Sequence, residues 1–178
     1  MSFTNIENIT LASGADSVTL ATGGGLASRQ PGLLADFYNK SGAGVAGSLL
    51  RSGVVLGPVN VQDQTLQSLV GKSDQVYLFA QGFLTVPGSG SYNDFILSTT
   101  SDDGVRVKID LAGNGAFSNV INNYTDHGPT VDNSSPQSVT AGQRIPIQIE
   151  WFESGGGAIL GLYYQSSSQG IGRTLVPL

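Results

Sequence analysis

Asp102 and Asp103 are adjacent carboxylates in the stretch Ser-Thr-Thr-Ser-Asp-Asp-Gly at 98–104, directly before the most regular alternating run of the chain, residues 105–111. That run, Val-Arg-Val-Lys-Ile-Asp-Leu, buries one face and wets the other as a strand. Paired carboxylates at the mouth of a rigid strand suit a hard cation, which takes oxygen donors. Neighbouring strand residues point to opposite faces, so convergence on one ion requires a turn or a cis peptide bond between them. An ordinary Asp-Asp-Gly turn is the competing reading on spacing alone, and Gly104 adds freedom for unusual backbone angles.

A third carboxylate strengthens the case for an ion. Residues 145–151 alternate strongly and run into Glu153-Ser154-Gly155-Gly156-Gly157, a side-chain ligand followed by backbone free to turn its carbonyls inward. Calcium accepts about six to eight oxygens, carbonyls included, in irregular geometry. Asp102, Asp103 and Glu153, with carbonyls of Gly155 and Gly157, would make a hard-cation cage. The alternative is a Gly-rich hairpin with an exposed Glu.

Catalytic readings fare worse. A glycosidase pair needs carboxyls about 5 Å or more apart across the scissile bond, which two adjacent residues converging on one ion do not offer. His127 is the only histidine, and a lone His in Asp-His-Gly-Pro reads as a turn residue rather than a base. There is no cysteine, no nucleophile elbow, and no phosphate-cradling loop with its Lys. The chain is read as a non-enzyme. Asn122, Asn123, Asp126, Asp132 and Asn133 could hold a secondary ion, although polar turn residues explain them as well. Trp151 and Tyr163 fall on strands and read as core or inter-sheet residues.

Short strands must position these groups. The chain has 178 residues, enough for one domain with a sizeable core; 39% are hydrophobic, 12% charged and 25 are Gly, a mix suited to many strands joined by tight turns. A net charge of −5 with no two basic residues in succession argues against nucleic acid and anionic membrane surfaces. No apolar run approaches the roughly 20 residues of a membrane span. An extracellular protein without disulfides draws stability from other sources, bound cations among them. The first residues carry no basic or apolar signal pattern, so the chain is expected to be either cytosolic or a module of a larger exported protein.

Strands are expected at 76–86, 92–99, 105–111, 116–122, 145–153, 158–165 and 172–176. Residues 59–70 read as a short helix or loop with Leu66, Leu69 and Val70 facing inward. Residues 1–30 hold two weak strand patterns, at 9–11 and 17–20, then three glycines, and read as a leader or edge segment. The expectation is an all-β antiparallel sandwich of eight to ten strands.

The order and spacing of several runs resemble a known family, the PA-fourteen domain, an anthrax-protective-antigen-like lectin module. The matching runs are 32–38, 82–87, 101–110, 120–124 with His127-Gly128, 141–153 and Gly157-Ala158. The resemblance covers 31–178 and implies a β-sandwich with long ligand-binding loops at one end. It implies that Asp102 and Asp103, joined by a cis peptide, bind Ca2+. The third side-chain ligand, often an amide in the family, matches Glu153, and the carbonyls of Gly155 and Gly157 complete the shell. Glu in place of an amide makes the site more anionic, with three carboxylates against +2.

By the same resemblance, vicinal sugar hydroxyls coordinate the ion directly, with further contacts from residues 165–169, Gln165 among them, and from Tyr163 or Tyr164. The function implied is a calcium-dependent lectin module of a cell-surface adhesin, monomeric within a larger secreted chain of the RTX adhesin or yeast flocculin kind. Its partners would be cell-surface glycans of fucose, glucose or mannose type. Two alternatives share the fold: a spacer domain of an adhesin that binds no sugar, and an accessory glycan-binding module of a glycoside hydrolase.

Overall fold

A computed structural model describes residues 32–178; the leader expected over residues 1–30 lies outside the described residues. In chain order the first elements are β1 (Leu33–Lys40), β2 (Ala46–Leu56), β3 (Asn60–Gln62), α1 (Asp63–Val70), β4 (Val76–Thr85) and β5 (Ser91–Asp102). They are followed by β6 (Val105–Ile109), β7 (Ser118–Asn123), β8 (Thr130–Asn133), β9 (Gln137–Thr140), β10 (Arg144–Glu153), β11 (Ile159–Ser166) and β12 (Ile171–Leu175).

The strands form two antiparallel sheets. One runs β2-β1-β4-β10-β6-β7; the other runs β12-β11-β5-β8, with β3 paired on β11 and β9 on β5. Period-two patterning explains the layering. On β10, Ile145, Ile147, Ile149 and Trp151 are buried toward the opposite sheet, while Arg144, Gln148 and Glu150 alternate with them. On β5, Leu97, Thr99 and Ser101 face inward and Ile96 and Thr100 are less buried. One core cluster takes residues from both sheets, with Trp151, Phe37 and Phe95 among its largest buried side chains. Burial of each such side chain is worth about 1.5–3 kcal/mol. The antiparallel sandwich expected from sequence is the fold found.

The differences lie at the edges. Among the described residues there are twelve strands rather than eight to ten, because β2, β8 and β9 are short or solvent-exposed and carry no clear alternation. Strand β5 runs three residues beyond its expected end at 99, through Thr100 and Ser101 to Asp102. Strand β6 stops early: Asp110 leaves it, its carboxylate accepting the N–H groups of Gly113 (2.8 Å), Asn114 (3.2 Å) and Gly115 (2.6 Å). The segment at 59–70 contains a helix, with Leu66 buried and Leu69 and Val70 packed against the core. Gly71 ends it at φ 77°, its N–H donating to the Gln67 carbonyl at 3.0 Å.

Candidate functional site

Asp102 closes β5 in one sheet and Glu153 closes β10 in the other, so both strands deliver a carboxylate to the same end of the sandwich. The peptide bond joining Asp102 to Asp103 is cis. A ligand oxygen of each of Asp102, Asp103 and Glu153 lies within 4.8 Å of the others, and all three residues are buried. Glu153 is 0% exposed, Asp103 5% and Asp102 8%.

Each carboxylate is held differently. Asp103 is clamped by backbone: Oδ1 accepts the His127 N–H and Oδ2 the Ser154 N–H, both at 2.8 Å. The Asp102 main-chain carbonyl accepts the indole Nε1–H of Trp151 at 3.2 Å, a bond that ties the two sheets together beneath the site. Glu153 has neither kind of anchor. Both of its carboxylate oxygens are buried without a hydrogen-bond partner. The Gly155 N–H is near enough to favour the ionised form, but not in a geometry that makes a bond.

Electrostatics follow from that crowding. Burial first, then the neighbouring Asp103 and Asp102, push the Glu153 carboxyl up to about 7, and Asp74 adds to the effect. Burial and the Asp103 charge likewise raise Asp102; His127 opposes the shift and Asp63 adds to it. Three buried carboxylates with no bonded Lys or Arg among the described residues form an uncompensated anionic centre. An unpaired buried charge costs several kcal/mol, and a cation coordinated by all three removes that cost. Buried, all-oxygen donors match a hard divalent ion. The residues present fit such an ion.

The surrounding loops are braced independently. Ser154 donates from Oγ to Asp126 Oδ1 at 2.8 Å and accepts from Lys40 Nζ at 2.7 Å, and its carbonyl accepts from Gln75 Nε2. Ala158 N–H donates to Asp63 Oδ1 at 2.9 Å, fixing the far end of the glycine loop to the start of α1. The His127 ring donates from Nδ1 to the Gly128 carbonyl at 2.8 Å, so in the neutral ring Nε2 is a bare acceptor, and it is buried without a partner.

Gly104 is required for space rather than for backbone angle. Its φ is not in the left-handed region, but a Cβ there would meet the Phe152 ring at 2.4 Å and the Thr125 nitrogen at 3.0 Å. That corrects the reading of Gly104 as a source of unusual dihedrals.

Of the residues singled out in the sequence, Asp102, Asp103 and Glu153 come together. Gly155 and Gly157 sit in the exposed loop directly after Glu153, where a side chain would meet open space. Gln165 is not brought to the carboxylates. Ile159 pairs with Asp102 and Gln165 with Ile96, so Gln165 lies six residues, about 20 Å, further along β11. Tyr164 is a core residue stacked on Phe95, with ring centroids 5.7 Å apart. The polar set at 122–133 does not assemble an ion site: Asn123 bonds Asp132 at 3.1 Å and Asp126 bonds Ser154. Sequence reasoning missed the amides of His127 and Ser154 and the carboxylate of Asp63. Backbone donors carry no signature in residue type, whereas Asp63 in the first turn of a helix was a readable signal.

With the geometry in place, comparison with known proteins adds three findings. A family model described as the PA14 domain matches residues 58–175. No curated protein sequence matches the chain. Among solved structures, an anti-sigma factor domain-containing protein superposes with a TM-score of 0.65 at 19% identity, over 83% of this chain and 46% of that one. The chain thus spans about half the length of that relative. A PA14 sugar-binding domain from an RTX adhesin gives 0.52 at 16% identity, over 82% and 94% of the two chains. The Epithelial Adhesin 6 A domain of Candida glabrata, in complex with Galb1-3GlcNAc, gives 0.60 at 14% identity, over 83% and 84%. At these identities the structural likeness is one of fold.

Proposed function

Because the chain belongs to the PA14 domain family, we propose that it is a carbohydrate-binding module in which Asp102, Asp103 and Glu153 hold Ca2+ for the recognition of sugar hydroxyls. The observation that carries this reading is the convergence of three buried carboxylates from two sheets, one of them with both oxygens unpartnered. Calcium bound there supplies open coordination positions that replace the water stripped from a vicinal diol. The protein's part is to fix the donors. His127 and Ser154 amides orient Asp103, the Trp151 indole fixes the Asp102 backbone, and carbonyls of Gly155 and Gly157, in the loop after Glu153, are the candidates to complete the shell.

The adhesin and sugar-complex relatives support a glycan as the partner and a cell-surface setting within a larger secreted protein. We take the module to span 31–178, with 1–30 as a leader or linker. A sugar held through two hydroxyls on an ion is expected to bind weakly as a single unit and to gain strength by multivalency. A glycan array probed with the chain in Ca2+ and again in EDTA tests the reading. Calcium-dependent binding to neutral glycans is the expected result, and binding that persists in EDTA overturns it. Calcium-dependent stabilisation with no glycan bound would instead mark a spacer domain.

A further inference from the structure

Arg173 stands outside the carboxylate centre and has a construction of its own. On β11, Gly161 lacks a Cβ that would approach Tyr163 Cε2 to 2.6 Å and its hydroxyl to 2.8 Å, so the ring can lie down along the sheet. The Arg173 guanidinium stacks on that ring, with Cζ 3.6 Å from the centroid. Its Nε–H donates to Ser98 Oγ at 2.9 Å and a terminal N–H donates to Thr100 Oγ1 at 2.6 Å. An exposed arginine is thereby held in one orientation by a ring and two hydroxyls. Among the described residues no carboxylate pairs with it, since both ion pairs go to Glu150.

A guanidinium ordered in advance, with N–H donors to spare and no counter-charge, is a receptor for an oxyanion such as a planar carboxylate or a tetrahedral sulfate. Ser98, Thr100 and Asp102 follow one another at i, i+2 and i+4 on β5. The guanidinium bound at Thr100 is therefore two residues, about 7 Å, along the strand from Asp102. That separation is on the order of one sugar unit.

We propose that Arg173 is an anion subsite that takes the carboxylate or sulfate of an acidic saccharide whose adjoining sugar is held at the Asp102–Asp103–Glu153 centre. The inference rests on the calcium-and-sugar reading above. An acidic peptide has no vicinal diol for the ion and would engage the arginine alone, which is why a saccharide is favoured.

The test is an array of matched neutral, uronate-bearing and sulfated disaccharides built on glucose, mannose, galactose and fucose, probed with the calcium-loaded chain. At least one acidic form is expected to bind about three- to tenfold better than its neutral counterpart, with the uronate and sulfate arms identifying which oxyanion is taken. The preference should shrink as salt is raised from about 50 to about 500 mM. Arg173→Gln is expected to lose the preference while keeping neutral-sugar binding and the calcium-induced rise in Tm; Arg173→Lys keeps part of it. Neutral binding without an acidic preference, a preference that survives in Arg173→Gln, or equal competition by poly-glutamate overturns this inference alone. Should Arg173→Gln not fold, the salt dependence of the wild-type preference decides. No binding to any form in calcium overturns the reading on which it rests.

Discussion

Asp103 is held by two backbone amides while Glu153 is held by none, and that difference assigns them different work. Asp103 is held as the fixed ligand of a bound ion would be, and Asp103→Ala should abolish both calcium-linked stabilisation and sugar binding, as read by thermal unfolding and by glycan array. Glu153 is a buried carboxyl without a hydrogen-bond partner, and it becomes an unpaired charge only as pH passes about 7. Glu153→Gln keeps an oxygen donor but cannot take on that charge, so at and above pH 7 the ion-free protein should be as stable as wild type or more so, while calcium affinity falls about tenfold. A large loss of ion-free stability in Glu153→Gln would count against the unpaired charge. The pH dependence has a definite sign. The folded state keeps the Glu153 proton up to about 7, whereas the unfolded chain releases it near 4.5. Stability of the EDTA-treated protein should therefore decline as pH rises through that interval. The increment supplied by calcium should grow over the same interval, because the ion needs the deprotonated ligand. Thermal unfolding at pH 5 and pH 7.5, with and without calcium, checks both slopes. At this scale the sequence was informative where chemistry resides in side chains. Asp102, Asp103 and Glu153 were legible; the amides clamping Asp103 were not, since every non-proline residue offers the same donor.

Strands β5 and β10 do the positioning, and their alternation made most of the fold readable in advance. What alternation could not reveal was how far β5 runs: the polar run 98–101 masks its continuation past the expected end at 99, yet Ser98, Thr99 and Ser101 are buried. Nor could it carry Gln165 to its place, because β11 leads away from the site end by six residues. The β5–β6 connection depends on close approach. Gly104→Ala would drive a methyl into the Phe152 ring and should cost about 1–3 kcal/mol in chemical denaturation, with weaker calcium binding as Asp103 shifts. Trp151→Phe removes the indole bond to the Asp102 carbonyl and some core volume. A loss of about 1–3 kcal/mol is expected, and an unchanged denaturation midpoint would show that the bond contributes little.

Across the whole molecule, the three carboxylates come from both sheets, so an ion held between them acts as a staple at one end of the sandwich. In a chain without cysteine such a staple would take a role disulfides fill elsewhere. Calcium at about one hundred times its dissociation constant should add about 2.7 kcal/mol, raising Tm by about 5–10 °C for a domain of this size, and EDTA should reverse it. A crystal soaked with calcium and a bound glycan tests the central claim most directly. The predicted result is a single ion with Asp102, Asp103 and Glu153 oxygens at about 2.3–2.6 Å and two sugar hydroxyls completing its shell. A carboxylate cluster that stays free of metal in millimolar calcium, or a glycan seated elsewhere on the sandwich, would contradict it.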